Sequence, residues 1–111
     1  MYTGYTFCSK GCWETKVLYD WDDKKDEAKR AQYGFGFAEV MKLFESEYYQ
    51  EDNESYPHQF RVVGFSQNAV MVTVVCEDRT DEDGNEITWL ATFWKSSSAE
   101  RKKYEEAHRL K

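Results

Sequence analysis

The chain has 111 residues, with 15 Lys and Arg against 21 Asp and Glu, a formal net charge of -6, and 41% hydrophobic and 17% aromatic residues. That length supports one hydrophobic core and excludes two domains, and the negative balance argues against a protein that coats nucleic acid by bulk charge. Seven Phe, eight Tyr and four Trp exclude a disordered acidic tail, because disordered chains are depleted in such side chains.

Residues 1–17 show no clean period and read as an irregular or strand-like extension ahead of a single domain spanning 18–111. Val17 to Trp21 is a short apolar run. Asp22, Asp23, Asp26 and Glu27 then precede Lys29 and Arg30, the charge order that complements a helix dipole, so a helix is predicted from about Asp22 to Tyr33. Asp22 is its candidate N-cap and Gly34 its left-handed C-terminal cap. Phe37, Val40, Met41 and Phe44 fall at i, i+3, i+4 and i+7, which predicts a second short helix with these four in the core. A short strand is expected around Glu47 to Gln50, followed by a loop that ends at Pro57, the only proline.

From Gln59 the pattern becomes β-like: FRVVGF, AVMVTVVC and ITWLATFW, separated by a turn at Ser66-Gln67-Asn68 and an acidic loop holding Asp83-Gly84. Strict alternation in the last strand places Ile87, Trp89, Ala91 and Phe93 on one face and Thr88, Leu90, Thr92 and Trp94 on the other. Ser97 and Glu100 form a capping box that starts a final helix running to about His108. The predicted class is α+β: two N-terminal helices, an antiparallel sheet of about four strands and a C-terminal helix.

No stretch of about 18 apolar residues occurs and Met1 to Trp13 has no continuous apolar segment, so neither a membrane span nor a signal peptide is expected, and the cytoplasm is the expected compartment. Cys8, Cys12 and Cys76 are too few for a disulfide scaffold and read as reduced thiols. The C-x3-C spacing of Cys8 and Cys12 offers two thiolates to zinc, but a structural site needs four ligands and the only histidines are His58 and His108; neither metal nor cofactor is expected. Cys76 lies in an apolar strand and reads as core, and Asp20, Asp22 and Asp23 read as helix-start residues before they read as cation ligands.

The stretch LYDWDDKKDEAKRAQYGFGFAEVMKLF, the strand FRVVGF and the closing SAERKKYEE together resemble the BrnT family of type II toxins, whose fold is like that of the RelE ribonucleases. The resemblance spans roughly Leu18 to Glu106 and is carried by Trp21, Asp22, Lys25, Gly34, Phe37, Glu100, Arg101 and Tyr104. It implies a metal-independent endoribonuclease and a ribbon-helix-helix antitoxin of the BrnA type that covers the active cleft. Four ionisable groups common in that family are replaced: three arginines by Gln59, Trp89 and Trp94, and a helix-ending histidine by Tyr33.

Two functional readings follow. RNA cleavage without a metal needs an acid, a base and cations for the developing phosphorane charge; Lys25, Arg61, Lys95 and Arg101, joined by Lys29, are expected to converge on a basic cleft, with Tyr33, Asp22 or His58 as proton-transfer groups. The other reading is a non-catalytic acidic protein-binding module, such as a phage or mobile-element inhibitor that mimics nucleic acid before a host defence nuclease. Residues 45–54 carry five acids and no base, and residues 77–86 carry six acids against Arg79. Glu77, Asp78, Asp81, Glu82 and Asp83, with Trp89 and Trp94, are then the partner-binding candidates.

Overall fold

The computed structural model describes residues 2–6 and 15–108. Strands β1 (Tyr2–Thr6) and β2 (Thr15–Asp20) precede helix α1 (Asp23–Tyr33) and a helical corner made of α2 (Phe37–Val40) and a 3-10 segment (Met41–Glu45). Strands β3 (Tyr49–Asp52), β4 (Gln59–Phe65), β5 (Met71–Thr80) and β6 (Glu86–Lys95) follow, and helix α3 (Ser98–His108) ends the described chain. The class is α+β, as the residue pattern implies.

The helix ends follow local chemistry. The Asp22 carboxylate accepts the backbone N–H groups of Lys24 at 2.8 Å and Lys25 at 3.1 Å, satisfying two donors that have no partner inside the helix. Gly34 closes α1 at φ 85°, where a side chain is strained. The Ser97–Glu100 box forms reciprocally: the Ser97 N–H donates to Glu100 Oε1 at 2.8 Å and the Glu100 N–H to Ser97 Oγ at 3.2 Å. At the corner after α1, Asp26 accepts from Arg30 Nε at 3.0 Å and from the Phe37 N–H at 2.8 Å, while Arg30 also reaches Glu39 at 3.0 Å. This network fixes the angle at which the apolar face of Phe37, Val40, Met41 and Phe44 meets the sheet, and all four are buried.

The sheet has six strands in the order β1-β2-β6-β5-β4-β3, parallel only between β2 and β6. The residue pattern predicts about four strands and leaves residues 1–17 outside the domain. Instead, residues 2–6 are hydrogen-bonded to β2 as an edge strand, and the Tyr2 ring stacks on Trp21 at 3.8 Å. Gly4 is needed there, because a Cβ would run into Met41 and the Tyr19 ring. Strand β3 begins two residues later than expected, since Tyr48 still packs edge-on against Phe44 of the helical corner at 5.4 Å.

Strict alternation fails in β6. Cys76 pairs with Leu90 but Val75 pairs with Thr92, so Ala91 is an extra residue and the strand carries a β-bulge. Past the bulge each side chain changes face. Leu90 and Phe93 both enter the core, fully buried, and Trp89 and Trp94 both turn to the opposite side. Phe93 sits at the centre of an aromatic cluster, with the rings of Tyr33, Phe35 and Phe37 at 5.6, 5.8 and 5.0 Å.

Asp22→Ala is expected to lower stability by about 1 kcal/mol through the lost N-cap, read as a shift of the urea midpoint at constant slope. Deleting Ala91 forces Leu90 or Phe93 out of the core, and a loss of about 3 kcal/mol or more is expected in the same assay, the scale of truncating a buried Phe. A deletion variant as stable as the parent would contradict the β5–β6 register.

Candidate functional site

One face of the sheet is covered by α1 and the helical corner. Among the described residues the other is crossed only by α3, which docks at the β3–β4 side: the Tyr104 ring meets Phe65 edge-on at 5.7 Å and its hydroxyl donates to the Glu47 carbonyl oxygen at 3.4 Å. The strand register sets out the rest of this open face in rows. Glu51, Arg61, Val75 and Thr92 form one row; Gln59, Glu77, Trp89 and Asp20 form the next; Arg79, Ile87 and Leu18 follow. Trp94 lies beside Thr73 at the margin of α3.

The three positions where the resemblance expects arginines, Gln59, Trp89 and Trp94, therefore share one face, and the bulge is what unites the two tryptophans. Cations are supplied there by neighbours. The Arg61 guanidinium lies 5.5 Å from the Trp94 ring centroid and 3.8 Å from Glu100, whose Oε1 accepts the Trp94 indole N–H at 3.0 Å. The Arg79 guanidinium lies 4.3 Å over Trp89 and 3.0 Å from Glu77, while Gln59 Nε2 donates to the other oxygen of Glu77 at 3.4 Å. In each unit an arginine lies against a tryptophan ring and within ion-pair distance of a glutamate, a cation–π contact that guanidinium and indole favour. Beside the Arg61 unit an open groove of about 720 Å³ is lined by Glu51, Asn53, Glu54, Gln59, Arg61 and Lys103, with Lys103 bound to Glu51 at 2.8 Å.

Two carboxylates of this face, Glu51 and Glu100, are tuned to stay ionised. Burial works to raise the Glu100 pKa, but the N–H of Ser97 and the indole of Trp94 outweigh it and hold the group below the usual carboxylate range. Glu51 is likewise held low, chiefly by its hydrogen bond from Lys103. A proton-transfer carboxylate at neutral pH needs the opposite shift. These groups are placed to grip cations.

The five expected catalytic residues do not share a cleft. Lys95 and Tyr33 meet on the helix-covered side, where the Lys95 ammonium lies 5.8 Å from the Tyr33 ring, while Lys25 Nζ donates to the carbonyl oxygen of Ala91, the bulge residue, at 2.9 Å. Arg61 is on the open face, as is Gln59 two residues before it, and Arg101 stands exposed on α3. The sheet separates the two groups because Lys95 follows Trp94 on a regular stretch of strand, so the two point to opposite faces. Of the proton-transfer candidates, Asp22 is spent on its cap and His58 is exposed in the turn before β4.

Among the acidic candidates, Glu77 is engaged on the open face and Asp78 is exposed on the other side of β5. The Asp81 carboxylate organises the hairpin, accepting the N–H groups of Asn85 at 2.8 Å and Asp83 at 2.9 Å, and those bonds hold it below the usual carboxylate range. Glu82 and Asp83 are exposed at the tip. Cys76 is buried, and burial pushes its thiol far up, as suits a core residue. Among the described residues no group of three His, Cys, Asp or Glu is placed to hold a metal; Cys8 and Cys12 of the zinc expectation lie outside the described residues. The pairing of Arg79 with Trp89 escaped sequence reasoning, because it depends on cross-strand register. Among the described residues no helix is long and apolar enough to cross a membrane.

Because the folded pKa of Glu100 is depressed, its contribution is fully present above the unfolded value of about 4.3 and is lost as pH falls through the lower folded value. Acid titration is expected to weaken α3 docking first, seen as a change in Trp94 fluorescence below about pH 4 that Glu100→Gln largely removes. In a Cys8→Ser, Cys12→Ser background, Cys76 is expected to resist a thiol reagent until urea unfolds the protein, and rapid native labelling would contradict its burial. No protein-family model matches the chain, and no curated protein matches it either.

Proposed function

We propose that this protein is a BrnT-like relative of a type II toxin, working in the cytoplasm, whose open sheet face binds a protein partner and has given up RNA cleavage. One observation carries the reading: Gln59, Trp89 and Trp94 occupy a single face, and the arginines there, Arg61 and Arg79, are each committed to a tryptophan and a glutamate. A ribonuclease needs cations free to take up charge as it develops on phosphorus, and removing one such donor typically costs about a hundred- to a thousandfold in rate. Here each of the two cations has a carboxylate partner in place, and Glu100 beside Arg61 is held ionised.

The same features suit recognition. Tryptophan and arginine dominate binding hot spots, and partly buried tryptophans framed by charged pairs offer apolar area with a polar rim. The exposed acids of the β5–β6 hairpin, Glu82, Asp83 and Glu86, favour a basic partner. A ribbon-helix-helix antitoxin of the BrnA type, implied by the resemblance, meets that description.

A second reading keeps the scaffold and changes the partner. The exposed carboxylates at Glu82 and Asp83, on a hairpin ordered by Asp81, would then stand in for phosphates in the groove of a nucleic-acid-binding defence protein.

Three measurements test the proposal. Purified protein incubated with RNA is expected to cleave no faster than buffer; cleavage that Arg61→Ala abolishes would restore the nuclease. Affinity capture from the native host is expected to recover a small basic DNA-binding protein, and Trp89→Ala with Arg79→Ala should raise its Kd by about thirtyfold, the scale of one hot spot. Recovery of a defence nuclease, released instead by Glu82→Lys and Asp83→Lys, would favour the mimic.

A further inference from the structure

The two edges of the sheet are built differently. Strand β3, Tyr-Gln-Glu-Asp, carries Glu51 and Asp52, and Lys103 of α3 is bound to Glu51 at 2.8 Å, so charge guards that edge. Strand β1 reads Tyr-Thr-Gly-Tyr-Thr, with no charged residue and no proline. Its five residues pair with β2 in an unbroken antiparallel register, from Tyr2 opposite Tyr19 to Thr6 opposite Thr15. Among the described residues no strand pairs with its outer side. Alternate residues of β1 therefore turn their N–H and C=O groups to an edge that lacks charge, proline and bulge, the devices by which edge strands refuse a neighbour.

The sequence of this edge is complementary to itself. In an antiparallel pair of β1 strands, a two-fold axis at Gly4 sets Gly4 opposite its own copy, Thr3 opposite Tyr5 and Tyr2 opposite Thr6. Each flanking pair joins an aromatic to a β-branched residue, a combination that stabilises cross-strand pairing, and none opposes like charges. At the centre there is no side chain to clash, because Met41 and Tyr19 of the same copy occupy the space a Cβ at Gly4 would need. Tyr2, at one end, is 39% exposed although its ring is stacked on Trp21. Self-pairing of β3 would instead bring four carboxylates into one short ladder.

The net charge of -6 opposes self-association in general, but it weighs little at this edge. Strand β3 is five strands from β1, about 24 Å across the sheet, against a Debye length of about 8 Å at physiological salt. The acidic β5–β6 hairpin starts two strands in from β1, and the two-fold axis sends the hairpins of the two copies to opposite ends of the joined sheet. Nearer to β1, Lys42 and Glu45 on the helical corner pair with one another at 3.2 Å, and β2 carries one Lys16 and one Asp20.

We propose that β1 is a dimerisation edge, on which a second copy of this chain pairs its own β1 antiparallel about a two-fold axis at Gly4, joining two six-stranded sheets into one. Residues opposite each other in a sheet share a face, so the axis is perpendicular to the sheet and the open faces of both copies look to the same side. One five-residue strand per copy, about 17 Å long, is a small contact beside a standard interface of about 1,600 Å², so the dimer is reversible, with a Kd of about 100 µM. The assignment stands on the edge alone and does not depend on what the open face binds.

The experiment is sedimentation velocity of the full chain from tenfold below to tenfold above about 100 µM, with backbone hydrogen exchange read at both limits. The parent is expected to pass from monomer to dimer, and the amides of β1 to gain protection while those of β3 do not. Thr3 is exposed, so Thr3→Lys puts a charge on the edge without disturbing the core and is expected to raise the Kd at least about tenfold at an unchanged urea midpoint. Thr3→Val keeps a β-branched residue and should leave the Kd within about threefold. A parent that stays monomeric throughout, a Thr3→Lys variant that associates like the parent, or a dimer that protects β3 instead of β1 would each overturn the proposal. Species larger than a dimer would overturn the closed two-fold pairing.

Discussion

A single extra residue in β6 organises both sides of this molecule. Because Ala91 has no counterpart on β5, the side chains before and after it exchange faces, so Leu90 and Phe93 both fill the core while Trp89 and Trp94 both stand on the open face. Without the bulge, one member of each pair would be on the other side, and the sheet would keep only half of this core and half of this pair of open-face tryptophans. The bulge also presents the carbonyl that Lys25 takes up, which ties α1 to the stretch of β6 where β2 no longer pairs. Core and open face are two consequences of one irregularity.

The distribution of charge follows from the same architecture. Cations on the open face are supplied by β4 and β5 and arrive within reach of glutamates on β5 and α3, so they are neutralised where they stand. Cations on the helix side are supplied by α1 and the end of β6, whose acidic neighbours are engaged by backbone donors and by Arg30. Paired arginines beside tryptophans favour a partner that brings its own apolar area.

Much of the local structure was legible from residue order. The limits of α1, its Asp22 and Gly34 caps, the apolar face of Phe37, Val40, Met41 and Phe44, and the capping box before α3 all depend on interactions within about four residues, which a linear reading samples directly. The three hairpin-forming strands were legible for the same reason. Residues 2–6 were not, because an edge strand such as β1 is recruited by its neighbour and has little pattern of its own. The candidate site was legible only in fragments: Arg61, Trp89, Trp94 and Glu77 stood out, but as members of separate groups, and Lys25 and Lys95 were joined to arginines that lie across the sheet.

The sequence by itself determined the class, the limits of α1 and α3, the three hairpin-forming strand segments and the excess of acid in two loops, since these rest on short-range bonding and on composition. Only the tertiary structure decided which residues share a face. That choice is made by cross-strand register, a long-range pairing that one unpaired alanine shifts by a residue, and alternation along the chain carries no mark of the shift.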